Sequence, residues 1–131
     1  MCDNTGEDCL DVGDDDVVWR FIHRSHTAPT TDSFRVGTGA FRNKKPSLFL
    51  PSLGASRDRI FAVFGEDDFG LGEILAREVR ALGYRIVCCP ADEPLENEPH
   101  AEIVPAPGRS NAERLAAKCC LVFVPRSLRK V

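Results

Sequence analysis

The cleanest hydrophobic-polar pattern lies at residues 17–23, VVWRFIH. Period-two alternation puts Trp19, Phe21 and His23 on one face of a strand and Val18, Arg20 and Ile22 on the other. Pro29 and a hydroxyl-rich run make residues 25–32 a loop. Residues 33–42 read as an extended segment interrupted by Gly37 and Gly39, which permit a bulge or a close backbone approach. Residues 47–50 form a short strand closed by Pro51. Residues 56–64 suit a helix with Ser56 as N-cap, Ile60, Phe61 and Phe64 on one face, and Gly65 as the stop. The run IFAVF within it also fits a strand.

The stretch FGLGEILAREVRALGYRIVCCPADEPLENEPHAEIV, residues 69–104, organises the rest. Its glycines leave residues 70–75 open between a strand and a first helical turn. Leu75, Val79 and Leu82 fall at helical spacing, with Gly83 as the closing glycine. Residues 84–89 are a strand stopped by Pro90, residues 91–99 an acidic loop, and residues 101–104 a further strand. Ser110 and Glu113 make a capping-box pattern for a helix over 110–118, and residues 121–124 a last strand ended by Pro125. A strand-rich first half followed by helix, strand, strand, helix, strand predicts an α+β fold. The expectation is a single compact domain, a mixed sheet with two or three short helices. The helix 110–118 would cross over between parallel strands at 101–104 and 120–124.

Charge divides the chain. Residues 1–19 hold seven acids and no Lys or Arg, leaving 17 basic residues against 13 acids in the remainder. The expected division is therefore an acidic, flexible leader at 1–16, one domain at 17–125 and a loose basic tail at 126–131. A chain of 131 residues is long enough to bury a core without disulfides or metal. No apolar run approaches the roughly 20 residues of a membrane helix, and no secretory pattern opens the chain, so the expected setting is cytoplasmic. There the six cysteines should be reduced. Without C-x-x-C, Cys88, Cys89, Cys119 and Cys120 read as small buried hydrophobes, and Cys2 and Cys9 as exposed thiols of low reactivity.

Candidate chemistry gathers at two places. His26 sits in a polar loop just past a strand, and His100 stands between Pro99 and a strand. Either suits proton transfer, since histidine titrates near neutral pH. Arg35, Arg42, Lys44 and Lys45 surround Gly37-Thr38-Gly39 without an acid among them. Backbone amides there can form an anion nest completed by the arginines. His23 and His26 form H-x-x-H, but residues three apart on a strand point oppositely, so no metal is expected. The acids Glu66, Asp67 and Asp68 exclude a phosphate loop between Gly65 and Gly72. No cofactor motif and no G-x-S-x-G occurs, and the overall acidity with a single tyrosine and a single tryptophan disfavours nucleic acid as a partner.

The series W-R-x-I-H-x-x-H (19–26), R-V-G-T-G-A-F (35–41), R-A-L-G (80–83), P-H-A-E-I (99–103) and R-L-A (114–116) resembles a scattered group of small, uncharacterised bacterial proteins. The resemblance implies one domain and carries over no role. With no complete catalytic constellation, the expected function is a non-catalytic binding or adaptor domain engaging a protein partner. The alternative is a small transferase or hydrolase for an anionic, phosphate-bearing ligand. In it Arg35, Gly37, Thr38, Gly39 and Arg42 hold the anion while His26 or His100 moves a proton.

Overall fold

The computed structural model describes residues 6–42 and 45–129. Among them the order is β1 (Val17–His23), β2 (Thr27–Pro29), β3 (Phe34–Val36), β4 (Ser47–Phe49), α1 (Arg57–Phe64), β5 (Phe69–Leu75), α2 (Ala76–Ala81), β6 (Arg85–Cys88), β7 (His100–Val104), α3 (Arg109–Lys118) and β8 (Cys120–Phe123). Six strands form one sheet in the order β6-β7-β4-β1-β5-β8, and β2 with β3 makes a separate ribbon. Every neighbouring pair is antiparallel. The fold is α+β. The strands that flank α3 do run parallel, but β4, β1 and β5 lie between them.

The alternation in β1 sets the two layers. Val18 and Ile22 face a cluster with Ile74, Ile86, Val79 of α2 and Leu115 of α3. Phe21 faces the opposite cluster with Phe49, Leu71, Leu95 and Ile60 and Phe61 of α1. Phe21 lies 4.9 Å from Phe61 and 5.7 Å from Phe49 in edge contacts. Arg20 is the one charge on the first face of β1. Its Nε donates to the Ala40 carbonyl at 2.8 Å and a terminal nitrogen to the Ser47 carbonyl at 3.2 Å. Carbonyls satisfy a buried guanidinium without cancelling its charge, and burial pushes its pKa down to about 10.

Residues 69–75 settle as a strand because their glycines allow close neighbours. A β-carbon on Gly72 would lie 2.6 Å from Cys119 Sγ, and one on Gly70 would lie 2.5 Å from the Phe123 carbonyl oxygen. Leu71 pairs with Phe123 and Gly72 with Leu121, so Val122 is an extra, 45% exposed residue in a bulge on the β8 edge. α1 starts and stops where the sequence predicts, with Ser56 Oγ accepting from the Arg59 N–H at 3.3 Å and Gly65 at φ 88°.

Several expectations need correction. Residues 33–42 are not one extended segment, since Thr38–Phe41 coils into a 3₁₀ turn that packs Ala40 and Phe41 into the core. The capping box does not form, because α3 begins two residues earlier, with Gly108 as its N-cap. The acidic leader is not loose over residues 6–16. Arg80 gathers it, donating to Asp8 at 3.2 Å, Asp14 at 2.8 Å, and the Cys9 and Val12 carbonyls at 3.0 and 2.8 Å. Val12 is buried in the core. The leader carbonyls of Asp16 and Asp14 take the first N–H groups of α2 at 2.9 and 3.1 Å, which replaces a side-chain cap. Residues 1–5 of the expected leader lie outside the described residues.

The cysteine expectation fails for the same segment. Cys9 and Cys88 form a disulfide, and Cys89 is likewise disulfide-bonded. Cys119 alone behaves as the small buried hydrophobe, its thiol pushed up to about 12 by burial, while Cys120 is free and exposed. The basic tail is tied down over 126–129. Arg126 pairs with Glu66 at 2.7 Å, Ser127 N–H reaches the Asp67 carbonyl at 3.0 Å, and Arg129 lies 4.7 Å over the Phe123 ring. No helix of the described residues is long and apolar enough to cross a membrane.

Candidate functional site

The fold separates the sequence-predicted site residues. His26 closes a 3₁₀ turn directly after β1. Its carbonyl accepts the Gly37 N–H at 2.8 Å. Its ring stands against Gly39, where a β-carbon would lie 2.8 Å from Cδ2. Burial first, then Arg20 and His23, hold its pKa below the ordinary histidine value. His26, Gly37 and Gly39 therefore meet, but the Gly37 amide of the expected nest is already engaged. Arg35 is exposed on the β2–β3 ribbon and donates to the neighbouring Val36 carbonyl at 3.2 Å. Thr38 opens the 3₁₀ turn, and exposed Arg42 ends it with its N–H on the Gly39 carbonyl at 3.3 Å. Lys44 lies outside the described residues.

His100 lies on the other face of the sheet. Register pairs Trp19 with Phe49 and Phe49 with His100, so all three project on the Phe21 side. The 3₁₀ turn beneath His26 packs on the opposite side, where it holds Arg20. His100 is only 6% exposed and its ring meets Phe49 edge-on at 5.1 Å. Nδ1 donates to the Cys89 carbonyl at 3.0 Å. That bond fixes the tautomer and leaves Nε2 as the lone-pair nitrogen. Burial lowers the His100 pKa; the Cys89 carbonyl, Glu102 and Asp92 oppose that shift, and Arg20 adds to it. The ring is neutral at pH 7.

His100 floors a cavity of 250 Å³ between the end of α1 and the acidic loop. Phe49, Val63, Phe64, Ala91, Pro94 and Leu95 supply apolar walls, and Ser47, Asp92, Glu93 and His100 the polar points. The loop is held there by Glu98, which the sequence offered only as one acid among several. Its carboxylate accepts the Ser56 N–H at 2.8 Å and Arg59 Nε at 2.6 Å. Those two donors hold the Glu98 carboxyl below its usual range. His100 also borders a cavity of 410 Å³ toward Cys9, Cys88 and Leu53. Neither cavity includes His26, Arg35 or Thr38. Among the described residues no group of three or more His, Cys, Asp or Glu side chains is placed to hold a metal.

Sequence reasoning missed Phe49, Val63, Phe64 and Glu98 as site residues. Phe64 and Phe49 read as core, and the pairing of β4 with β7 that brings Phe49 to His100 has no local signal. The sequence shows an acidic loop without Lys or Arg at 91–99 and a helix whose first turn carries Arg57 and Arg59, but only the fold places the two side by side. No family model, curated protein or solved structure matches the chain.

Proposed function

We propose that this chain is a non-catalytic binding domain that engages a protein partner through the cavity between α1 and residues 91–95. The observation that carries the reading is that cavity itself, with apolar walls, an acidic mouth and Val63 standing 44% exposed at its edge. An exposed large hydrophobe beside a concave apolar surface is the usual composition of a recognition site. The alternative enzyme, acting on a phosphate-bearing ligand through Arg35, Thr38, His26 and His100, has less support. It needs the two histidines and the anion donors around one ligand, and they open on opposite faces.

The bacterial setting implied by the sequence resemblance belongs to the same proposal. A cytoplasmic location draws no support from the disulfides at Cys9, Cys88 and Cys89, which favour an oxidising compartment. Selection of displayed random peptides on the oxidised protein tests the binding role. Enriched peptides should lose about tenfold or more in affinity on Val63→Asp, a change of about 1.4 kcal/mol, with the circular dichroism spectrum unchanged. Failure to enrich, or binders indifferent to Val63, would sink it.

A further inference from the structure

We infer that the side chain this cavity takes from its partner is a lysine, its methylene stem between Phe49, Phe64 and Leu95 and its ammonium on His100 Nε2 and the carboxylates of Asp92 and Glu93. This rests on the binding reading above and specifies its ligand.

Three features converge on that occupant. The walls are apolar, which suits a flexible aliphatic stem that buries its methylenes while its charged head reaches polar groups. The Phe49 and Phe64 rings add faces that attract a cation. The floor offers an acceptor: Nδ1 donates to the Cys89 carbonyl, so the lone pair of Nε2 needs a donor. A norleucine-like side chain would cover that nitrogen without bonding it, which costs binding energy. The mouth is acidic. Asp92 and Glu93 line it, Glu96 lies on the same loop, and residues 86–108 contain no Lys or Arg. Arg59, the neighbouring cation on α1, is engaged by Glu98. An anionic side chain is therefore repelled. A guanidinium needs a planar set of acceptors for its fixed fork, whereas an ammonium directs three rotatable donors to separated points such as one imidazole and two carboxylates.

The test titrates the oxidised full chain, with ¹⁵N-labelled histidine rings, with blocked tripeptides Ala-X-Ala in which X is lysine, norleucine or arginine. The lysine peptide should shift the His100 Nε2 resonance and the Val63 and Leu95 methyl signals saturably. The norleucine and arginine peptides should bind at least about tenfold more weakly, a difference of about 1.4 kcal/mol. The double substitution Asp92→Asn/Glu93→Gln, on exposed loop positions, should erase most of the preference for lysine over norleucine without changing the fold. Equal binding of norleucine or arginine overturns the inference. Spermidine saturating the same signals as tightly as the lysine peptide overturns it in favour of a free amine. Display-selected peptides that depend on Val63 but carry no lysine refute the lysine alone and leave the binding domain standing. The absence of any Val63-dependent binder removes both.

Discussion

His100 and Arg20 show how a single position acquires a role that its neighbours in sequence do not announce. Alternation identifies the face each residue takes on its own strand. It does not say that Phe49 will stand beside His100, or that the Ala40 and Ser47 carbonyls will hold Arg20. That is why both histidines were visible as candidates while their separation across the sheet was not. The environment of His100 has a consequence for stability. Burial keeps its folded pKa below the ordinary 6.5, so on acidification the unfolded chain takes up the proton first. Stability from this group is therefore present above pH 6.5 and is lost as pH falls below it. Asp92 and Glu102 face the ring and partly oppose the shift, while Arg20 reinforces it. His26, also depressed, contributes with the same sign. Urea midpoints at pH 7.5 and 5.5 should drop less in His100→Asn than in wild type, with His26→Asn as the comparison. Parallel drops in all three proteins would contradict the assignment to His100.

Elements are held by partners far away in the chain, and there the sequence is least legible. Seven acids without a base looked like a solvated leader because Arg80 comes so much later. In the fold, that one side chain and the Cys9–Cys88 disulfide make residues 6–16 a strap across the β6 edge. The Cys9 N–H reaches the Ile86 carbonyl at 2.7 Å, and the Asp8 carboxylate accepts the Ile86 N–H at 2.9 Å. An edge strand that would otherwise present unpaired groups is thus covered. Cys88→Ser should cost about 2–4 kcal/mol in chemical denaturation, the usual worth of a disulfide. It should also speed amide exchange at Ile86, Ala76 and Arg77. Unchanged exchange at those amides would show that the strap does not need its disulfide. The opposite edge relies on glycine. In Gly70→Ala the new β-carbon meets a backbone oxygen that cannot turn aside, so a loss of roughly 1–3 kcal/mol is expected, with exchange faster in β8 than in β4. Exchange rising equally in both strands would place the strain elsewhere.

At the scale of the whole molecule, the sequence made the kinds of element readable and left their order hidden. Residues 17–23, 56–64 and 84–89 announce themselves through alternation, capping and a proline stop. The order β6-β7-β4-β1-β5-β8 depends on pairings between distant strands that no local pattern encodes. That order has an energetic meaning. β1 lies between β4 and β5, and its two faces serve the two apolar clusters. Helices α2 and α3 cover one, α1 the other. Damage on either side is then transmitted through the same strand, so the layers should unfold together. Leu115→Ala on α3 and Phe61→Ala on α1 remove side chains buried in different clusters, and each should cost about 2–5 kcal/mol. If the sheet couples them, each variant shows one thermal transition, and both accelerate exchange of the β1 amides to the same extent as the global loss. If Phe61→Ala instead loosens α1 while β1 and α3 keep wild-type protection, the α1 layer is an independent unit. The candidate cavity, to which α1 contributes Val63 and Phe64, would then open without unfolding the rest. Exchange measured on the two variants side by side decides between these outcomes.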